Sequence, residues 1–355
     1  MNVIVDGIVY SLQKHGGISV YFNELIKNIC FFSDIDLNLI LYPNNSHALK
    51  EIDLFNVSCT KYRSRFLERY RNVSFSNMQN NKKSIFHSSY YRIGCARNLL
   101  NVTTVHDFIY EKYFRGYKKS IHAWQKRHAV LHSDYIICVS ENTRNDLLNF
   151  YPEVDPSKIQ VIYNGVGEHF HLLKDDSKKK QKNDYVIYIG SRYGYKNFET
   201  AVTSVSLDEC LQLYIIGGGE LNAFEVDLLN KKLPQRYKFL GFTNDSALNE
   251  LYNNAFCLLY PSLYEGFGIP ALEAMKAGCP VIAMDSSSIP EVCGNAAILV
   301  KENSPEAFSL ALNKLKKGNF RKDLIEKALL HAENFSWNKM ANETISLYKR
   351  LLEVE

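Results

Sequence analysis

The chain has 355 residues, which is too long for one ordinary hydrophobic core and predicts two domains. Hydrophobic residues make up 46% of it, enough to fill both cores. No apolar run approaches the length of a membrane span, so we expect a soluble or peripherally attached protein. Residues 1–10 lack a basic leader and are interrupted by Asp6, which favours a first strand over a signal peptide.

The net charge is +4, and the positive excess lies in the N-terminal half. Residues 1–165 hold 20 Lys+Arg against 14 Asp+Glu, and the rest of the chain holds 22 against 24. Such asymmetry indicates a charged partner for that half, either nucleic acid or an anionic membrane surface. The eight cysteines are scattered without a C-x-x-C pair, which is typical of reduced thiols in a cytosolic protein.

The first predicted strand leads into Gly16 and Gly17 and then into apolar residues at helical spacing. Glycines at a strand-to-helix turn let backbone amides approach a phosphate closely, although an ordinary tight turn uses the same residues. Further on, Asp34 and Asp36 have the spacing of a metal-binding D-x-D. They lie between a helix and an apolar strand, which favours a solvated turn over a metal site.

Two stretches, residues 61–71 and 110–127, interleave Lys and Arg with Tyr, Trp and Phe. Cations beside aromatic residues suit an anionic lipid surface, where each cation contributes about 1 kcal/mol. Single-stranded nucleic acid would favour the same composition, and solvated helix faces are the third alternative. The composition alone leaves these three alternatives open.

Residues 84–87 and 101–107 are predicted parallel strands, and the second ends in His106 and Asp107. Strand ends supply site residues in such sheets, so His106 is a candidate site residue, with a structural histidine as the alternative. Residues 133–140 and 159–166 complete the strands of this half. The charged, apolar-poor residues 171–184 predict a linker between the domains.

The β-α alternation restarts at residues 185–190, and Arg192 and Lys196 lie in the loop before the next helix. Cations at that place can neutralise a diphosphate, while surface cations without a ligand are the alternative. Two further strands follow at residues 211–219 and 237–245. Neither contains G-x-G-x-x-G, so a dinucleotide cofactor is not indicated.

Residues 261–283 follow an apolar strand, pass through a loop that contains Glu265 and enter a helix at Pro270. This spacing puts Glu273 in the first helical turn. Two carboxylates at the carboxyl end of a strand, beside the amides of a helix N-terminus, are typical of the ligand-binding edge of an open α/β sheet. The alternative is a helix with an incidental acidic first turn.

This stretch resembles the E-x7-E signature of family 4 glycosyltransferases, which are retaining enzymes of the GT-B fold with nucleotide-sugar donors. Glu265 and Glu273 fall on its two glutamates. The resemblance implies that Glu265 holds sugar hydroxyls and Glu273 the ribose hydroxyls. The donor-binding loop that it implies consists of Gly266, Phe267, Gly268 and Ile269.

The resemblance also gives roles to earlier residues. It implies that His106 faces the donor sugar, that Phe242 and Thr243 meet the nucleobase, and that the diphosphate is met by Gly16, Gly17, Gly190, Ser191, Arg192 and Lys196. Family members often have a basic residue directly after the strand glycine, where this chain has Ser191. The family's diphosphate-binding role therefore matches the position of Lys196 more closely than that of Arg192.

The predicted fold class is α/β, a GT-B fold of two doubly wound Rossmann-like domains facing a cleft. We expect an acceptor-binding domain at residues 1–170, the linker at 171–184, a nucleotide-sugar-binding domain at 185–335, and a helix at 336–355 that crosses back onto the first domain. The resemblance covers nearly the whole chain and is strongest over residues 185–300. Residues 42–100 match little beyond strand patterning.

The reaction implied is hexose transfer from a nucleoside-diphosphate sugar to a hydroxyl, with retention. The motifs look most like bacterial O-antigen and capsule mannosyltransferases, which implies GDP-mannose, a lipid-linked oligosaccharide acceptor and work at the cytoplasmic face of the inner membrane. The alternatives are a UDP-sugar or dTDP-rhamnose donor, an epimerase or phosphorylase of the same fold, and an inactive partner-binding homologue. We expect no metal, no cofactor and no nucleic-acid partner.

Overall fold

The computed structural model describes residues 1–13, 16–43, 57–75, 82–173 and 184–353. The chain divides into two compact units. The first consists of Met1–Gly165 with Trp337–Glu355, and the second of Val166–Ser336.

The first unit is built on parallel strands. They are β1 (Asn2–Asp6), β2 (Asp36–Leu41), β3 (Ser58–Lys61), β4 (Val73–Ser74), β5 (Ser84–Ser88), β6 (Gly94–Cys95), β7 (Leu99–Val105), β8 (Tyr135–Cys138) and β9 (Ile159–Val161). One seven-stranded sheet has the order β3-β2-β1-β5-β7-β8-β9, and β4 pairs separately with β6. Strand β5 is buried at every residue, as expected for a central strand covered on both faces.

The helices of this unit before residue 165 are α1 (Val9–Leu12), α2 (Gly17–Ile29), α3 (Ile109–Tyr113), α4 (Tyr117–His132) and α5 (Glu141–Phe150). Helix α2 forms because its apolar residues recur at helical spacing and give one buried stripe. Ser140 is the N-cap residue of α5, and its side chain accepts a hydrogen bond from the backbone amide of Thr143.

The second unit repeats the same plan. Its strands are β10 (Tyr185–Ile189), β11 (Gln212–Ile216), β12 (Tyr237–Gly241), β13 (Cys257–Tyr260), β14 (Val281–Met284) and β15 (Ile298–Val300). Its helices are α6 (Phe198–Ser206), α7 (Ala223–Lys232), α8 (Asp245–Asn254), α9 (Ile269–Lys276), α10 (Ile289–Cys293), α11 (Pro305–Leu315) and α12 (Gly318–Ala332). The sheet order β12-β11-β10-β13-β14-β15 is that of a doubly wound Rossmann sheet, so the predicted fold class is confirmed.

The last helix, α13 (Trp337–Glu353), belongs to the first unit and packs on α2, as the sequence predicted. Its buried face includes Trp337, Met340 and Tyr348. The hydroxyl of Tyr348 lies 2.5 Å from Nδ1 of His87, whose pKa is lowered to about 3 by burial and by His106. A neutral histidine thus links the end of the chain to the central strand β5.

The boundary between the units lies at Gly165, earlier than the predicted residue 170. Val166 pairs with Ser336, the Phe170 ring packs 6.1 Å from that of Tyr252, and the amide of His171 donates to Asn249. These contacts fix the start of the predicted linker to the second unit. Residues 174–183 of the linker lie outside the described residues.

Asp34 and Asp36 lie at the turn that leads into β2. Oδ2 of Asp34 lies 2.8 Å from Nζ of Lys349 on α13, and the Lys349 hydrogen bond lowers the pKa of Asp34. Asp36 is the first residue of β2. Across the described part of the chain, no group of three or more His, Cys, Asp or Glu could hold a metal ion.

Candidate active site

Four loops of the second unit lie at one edge of its sheet. They are residues 190–197 after β10, 217–220 after β11, 242–244 after β12 and 261–268 after β13. The carboxyl ends of parallel strands meet at the same edge, which is where an open α/β sheet binds its ligand. Every site residue predicted for this half lies in these loops or in the first two turns of α9.

An ion pair joins two of these loops. Nζ of Lys196 lies 2.5 Å from Oε1 of Glu265, and the two side chains are 13% and 10% exposed. The rings of Tyr195 and Tyr260 lie 5.6 and 5.7 Å from the same nitrogen. Because little water reaches the pair, its electrostatic interactions are stronger than those of a surface pair. A charged ligand at this edge would therefore meet two strong and opposite charges.

The backbone fixes the positions of both charges. Asn197 follows one turn of 3-10 helix, Gly194–Lys196, and is the N-cap residue of α6. Its backbone is left-handed, with a φ of 50°. Its side-chain amide donates to the carbonyl of Pro261 at 2.8 Å, and the amide of Leu263 donates to the carbonyl of Tyr195 at 2.8 Å. Asn197 is not among the site residues predicted from the sequence, although left-handed backbone favours Asn among residues other than glycine.

A run of three serines after β14 holds the Glu265 loop, and the sequence analysis missed it as well. Ser286 donates to the carbonyls of Ser262 and Leu263 at 3.2 and 2.9 Å, and Ser288 donates to those of Glu265 and Phe267 at 3.0 and 2.8 Å. The hydroxyl of Ser287 accepts from the amide of Glu265 at 2.9 Å. Three consecutive hydroxyl residues directly after a strand were the sequence signal that could have indicated this support.

Glu273 is the fifth residue of α9, so its predicted place in the first helical turn is wrong by one residue. The helix begins at Ile269, before Pro270, which moves Glu273 into the second turn. Burial raises the pKa of Glu273 to about 8, and the negative charge of Asp245 adds to that rise. Its carboxyl group is therefore mostly protonated at neutral pH and can donate a hydrogen bond.

The segment before α9 has a shape that requires glycine. Gly268 has a φ of 108°, and a Cβ there would lie 2.8 Å from Cδ1 of Ile289. Phe267 is 4% exposed and its ring packs against that of Phe335, so the ring is not available to a ligand at the sheet edge. Gly266 is also buried.

Arg192 differs most from its predicted role. Its side chain is 3% exposed and hydrogen-bonds the carbonyls of Gly217, Gly219 and Glu220 at 2.9, 2.9 and 2.7 Å. Its Nε lies 2.9 Å from a carboxylate oxygen of Glu225. The guanidinium group therefore contacts the next loop of the sheet edge. Gly190 and Ser191, which precede it, are half-buried.

Phe242 and Thr243 line a cavity of about 410 Å³ beside β12. The ring of Phe242 is 72% exposed, and the cavity extends along α8 to Tyr185 at the start of β10. The cavity therefore runs along the sheet and reaches the predicted nucleobase end of the ligand edge.

The first unit holds the other three predicted site residues. Gly17 is the first residue of α2, and Gly16 before it has an extended φ of 170°, which any residue can adopt. His106 directly follows β7, and its ring lies 5.1 Å from that of Tyr21 on α2. Burial and the charge of Lys126 lower the pKa of His106 to about 3, so the imidazole is neutral. Its Nε2 is buried without a hydrogen-bond partner among the described residues.

Lys126 fixes the backbone beside His106. Its side chain is completely buried, and Nζ donates to the carbonyl of Asp107 at 2.7 Å and to Glu111 at 2.9 Å. The sequence pattern predicted that Lys126 lies in a basic surface stretch. That placement is wrong, because α4 turns this residue inward toward α3.

Comparisons with known proteins agree with this fold. The sequence profile of "Glycosyl transferases group 1" matches residues 170–331, and that of "Glycosyltransferase Family 4" matches residues 41–169. Solved structures of similar fold include sucrose-phosphate synthase of Thermosynechococcus elongatus, with a TM-score of 0.78, 16% identity and 100% of both chains covered. HepE of Anabaena, solved with UDP-glucose, has a TM-score of 0.73, 14% identity and covers 98% of this chain and 100% of its own.

Two similar relatives are named as mannosyltransferases. The O-antigen chain mannosyltransferase RfbU of Salmonella typhimurium is 28% identical over 67% of this chain and 66% of its own length. The O-antigen chain mannosyltransferase B of Escherichia coli is 33% identical over 47% of this chain and 46% of its own. The matches therefore span just under two thirds of the first relative and less than half of the second. With both family profiles matched in order and two doubly wound sheets of the GT-B type, the chain belongs to the group 1 and family 4 glycosyltransferases.

Proposed function

We propose that the protein transfers a hexose, with retention, from a nucleoside-diphosphate sugar to a hydroxyl group, and that the donor is GDP-mannose. The observation on which this rests is the Lys196–Glu265 ion pair, held by fixed loops at the ligand-binding edge of the second sheet. A cation and a carboxylate at such an edge match the two parts of the donor that the breaking bond joins, which are the diphosphate and the sugar with its hydroxyls.

In the proposed reaction, negative charge develops on the departing diphosphate. Lys196 stabilises that charge together with the amides at the start of α9, in a setting that contains little water. Glu265 then accepts hydrogen bonds from sugar hydroxyls in place of its pair with Lys196. The charge that a metal would otherwise supply comes from Lys196, so we propose that no divalent cation is needed.

Two further residues have proposed roles in binding. Glu273 meets the ribose hydroxyls, and its buried carboxyl group can act there as donor and acceptor. His106 acts as a neutral imidazole, so it orients the sugar by hydrogen bonding rather than by charge. The roles of Gly16 and Gly17 at the start of α2 stay predictions.

The names of the similar mannosyltransferases support mannose as the transferred sugar. We expect calorimetric titration to show tighter binding of GDP than of UDP or dTDP. We also expect free GDP to appear from GDP-mannose when a lipid-linked acceptor is present, with or without a chelator. Tighter binding of UDP or dTDP would overturn the donor assignment. If no nucleotide sugar yields free nucleotide under any of these conditions, the transferase proposal is wrong.

We propose that the acceptor is a lipid-linked oligosaccharide and that the first unit docks on the cytoplasmic face of the inner membrane. Helix α4 presents Tyr117, Ile121 and Trp124 on one face, with exposures of 72%, 43% and 57%. The spacing of these residues puts them on a single stripe. Gln125 donates to the carbonyl of Arg69 at 2.5 Å, which joins α4 to the other basic and aromatic stretch.

The charges of this surface favour an anionic partner. Lys61, Arg63, Arg115 and Lys118 are exposed and make no ion pair with any described residue, whereas Glu68 and Glu111 of the same stretches are buried. The surface is less basic than the sequence predicted, because Arg65, Lys112, Lys126 and Arg127 are paired with carboxylates. No described helix is long and apolar enough to span a bilayer.

Vesicle flotation tests the docking surface. We expect the protein to float with anionic vesicles, more at low salt than at 1 M, where the Debye length falls to about 3 Å. Lys118→Glu should weaken flotation, since each cation contributes about 1 kcal/mol. Trp124→Ala should lower the fraction that survives high salt, while Phe224→Ala, which removes an exposed ring from the second unit, should change nothing. Equal flotation with neutral and anionic vesicles would contradict this docking surface.

A further inference from the structure

We propose that Arg192 is a positioning residue that holds the Gly217–Gly219 loop in the shape that receives the donor's nucleoside, without contacting the diphosphate. This inference rests on the proposed function, because it concerns the donor site. It differs from the role that the resemblance implied, which was direct stabilisation of the diphosphate.

The contacts of Arg192 leave little of it for a ligand. Three of its terminal N–H groups donate to the carbonyls of Gly217, Gly219 and Glu220, and the side chain is 3% exposed. Its Nε lies 2.9 Å from a carboxylate oxygen of Glu225 without an aligned hydrogen bond, and Glu225 is itself held by a capping box with Asn222 at the start of α7. A rigid fork of donors suits several carbonyls at once, whereas an ammonium group supplies its donors from one point.

The loop needs such support. Gly217, Gly218 and Gly219 have φ values of 76°, 77° and 73°, so three successive residues are in the left-handed region. Glycine adopts this conformation without steric cost but loses more conformational freedom on folding than other residues. A Cβ on Gly218 would lie 2.4 Å from Nη1 of Arg192 and 2.6 Å from the carbonyl oxygen of Gly190. The guanidinium group therefore packs directly against the loop backbone.

The strand order places this loop in the middle of the proposed donor site. Strand β11 lies between β10 and β12. The amide of Gly190 donates to the carbonyl of Ile216, and the amide of Gly217 donates to that of Gly241, at 2.9 and 2.8 Å. The loop thus lies between the Lys196 loop, where we propose the diphosphate, and Phe242 and Thr243, where we propose the nucleobase. A change in its shape would alter the fit of the nucleoside.

Calorimetric titration of the full chain with GMP and with GDP distinguishes support of the Gly217–Gly219 loop from direct contact with the diphosphate. If UDP binds the wild type more tightly than GDP, UMP and UDP are used instead. We expect Arg192→Lys and Arg192→Gln each to weaken both ligands by about tenfold, which corresponds to a lost charged hydrogen bond. Lys196→Ala should weaken GDP more than GMP, because it removes a diphosphate contact. Gly218→Ala should also weaken GMP, and combining it with Arg192→Lys should add little, because both act on one loop.

Two results would overturn the inference. If Arg192→Lys binds both ligands as the wild type does, charge alone suffices and the loop needs no fork of donors. If the loss is confined to the diphosphate ligand, Arg192 contacts the diphosphate. If Arg192→Gln does not fold, the test rests on Arg192→Lys, which keeps a positive charge beside Glu225. That variant alone distinguishes a positioning role from a diphosphate contact. A wild type that binds neither GDP nor UDP would instead reject the proposed function, and this inference with it.

Discussion

Replacing Lys196 with alanine is expected to lower kcat by about 100- to 1000-fold, the loss typical of removing one donor that stabilises charge in the transition state. The fold should remain intact, because Lys196 lies in a loop whose backbone is held by Asn197 and by the carbonyl of Pro261. Glu265→Gln should lower kcat as well, since an amide accepts fewer hydrogen bonds than a carboxylate. Lys231→Ala, an exposed cation on α7, is the matched control and should retain full activity.

The measurement is single-turnover release of nucleotide, with thermal unfolding to check the fold. Because the two side chains are in contact, the double variant Lys196→Ala/Glu265→Gln should lose less activity than the product of the two single losses. Near-wild-type turnover in either single variant would reject the assignment. A loss fully explained by lower thermal stability would reject it too, because the pair would then be structural.

The sequence predicted this region well because its signals are local. An apolar strand, glycines in the following loop and Pro270 at the helix start specify strand, loop and helix in order. The positions of Glu265 and Glu273 follow from that order to within one helical turn. Doubly wound topology follows from the alternation of strands and helices, because parallel strands need crossover connections.

The contacts of single cations could not be predicted, because their partners are distant in sequence. Arg192 meets Gly217, Gly219 and Glu225. Lys126 is buried against Glu111, although Trp124 and Arg127 of the same helix are exposed. A count of charges along the chain treats both as surface cations. The support of Glu265 by Ser286, Ser287 and Ser288 also depends on β14 lying next to β13.

Arg92 is the clearest example of a hidden cation, since the sequence analysis did not single it out. Its side chain is 1% exposed. Nη1 donates to Asp6 at 3.2 Å and to the hydroxyl of Tyr42 at 2.7 Å, while Nη2 donates to Glu68 at 2.6 Å and Nε to the carbonyl of Arg71 at 2.8 Å. Burial raises the pKa of Asp6, and the positive charge of Arg92 counteracts that rise. One guanidinium group thus pairs with two buried carboxylates, of which Glu68 is also paired with Arg65.

We therefore expect Arg92→Met to lower the free energy of unfolding by about 3–5 kcal/mol, because it leaves Asp6 buried without a counter-charge and Glu68 with only its pair to Arg65. The matched control is Arg97→Met, an exposed arginine nearby, which should change the free energy by less than about 0.5 kcal/mol. Adding Asp6→Asn and Glu68→Gln to Arg92→Met should recover most of the loss, because no buried charge then remains.

The loss in Arg92→Met should also depend on pH, and the direction follows from Asp6. Removing Arg92 raises the folded-state pKa of Asp6 further above its unfolded value, so the folded state binds a proton that the unfolded state releases. Stability linked to that proton is present at low pH and is lost as pH rises through the folded-state pKa. Denaturant titrations at pH 5 and pH 8 should therefore show a larger gap between variant and wild type at pH 8. An equal gap at both values would mean that Asp6 is not the uncompensated charge.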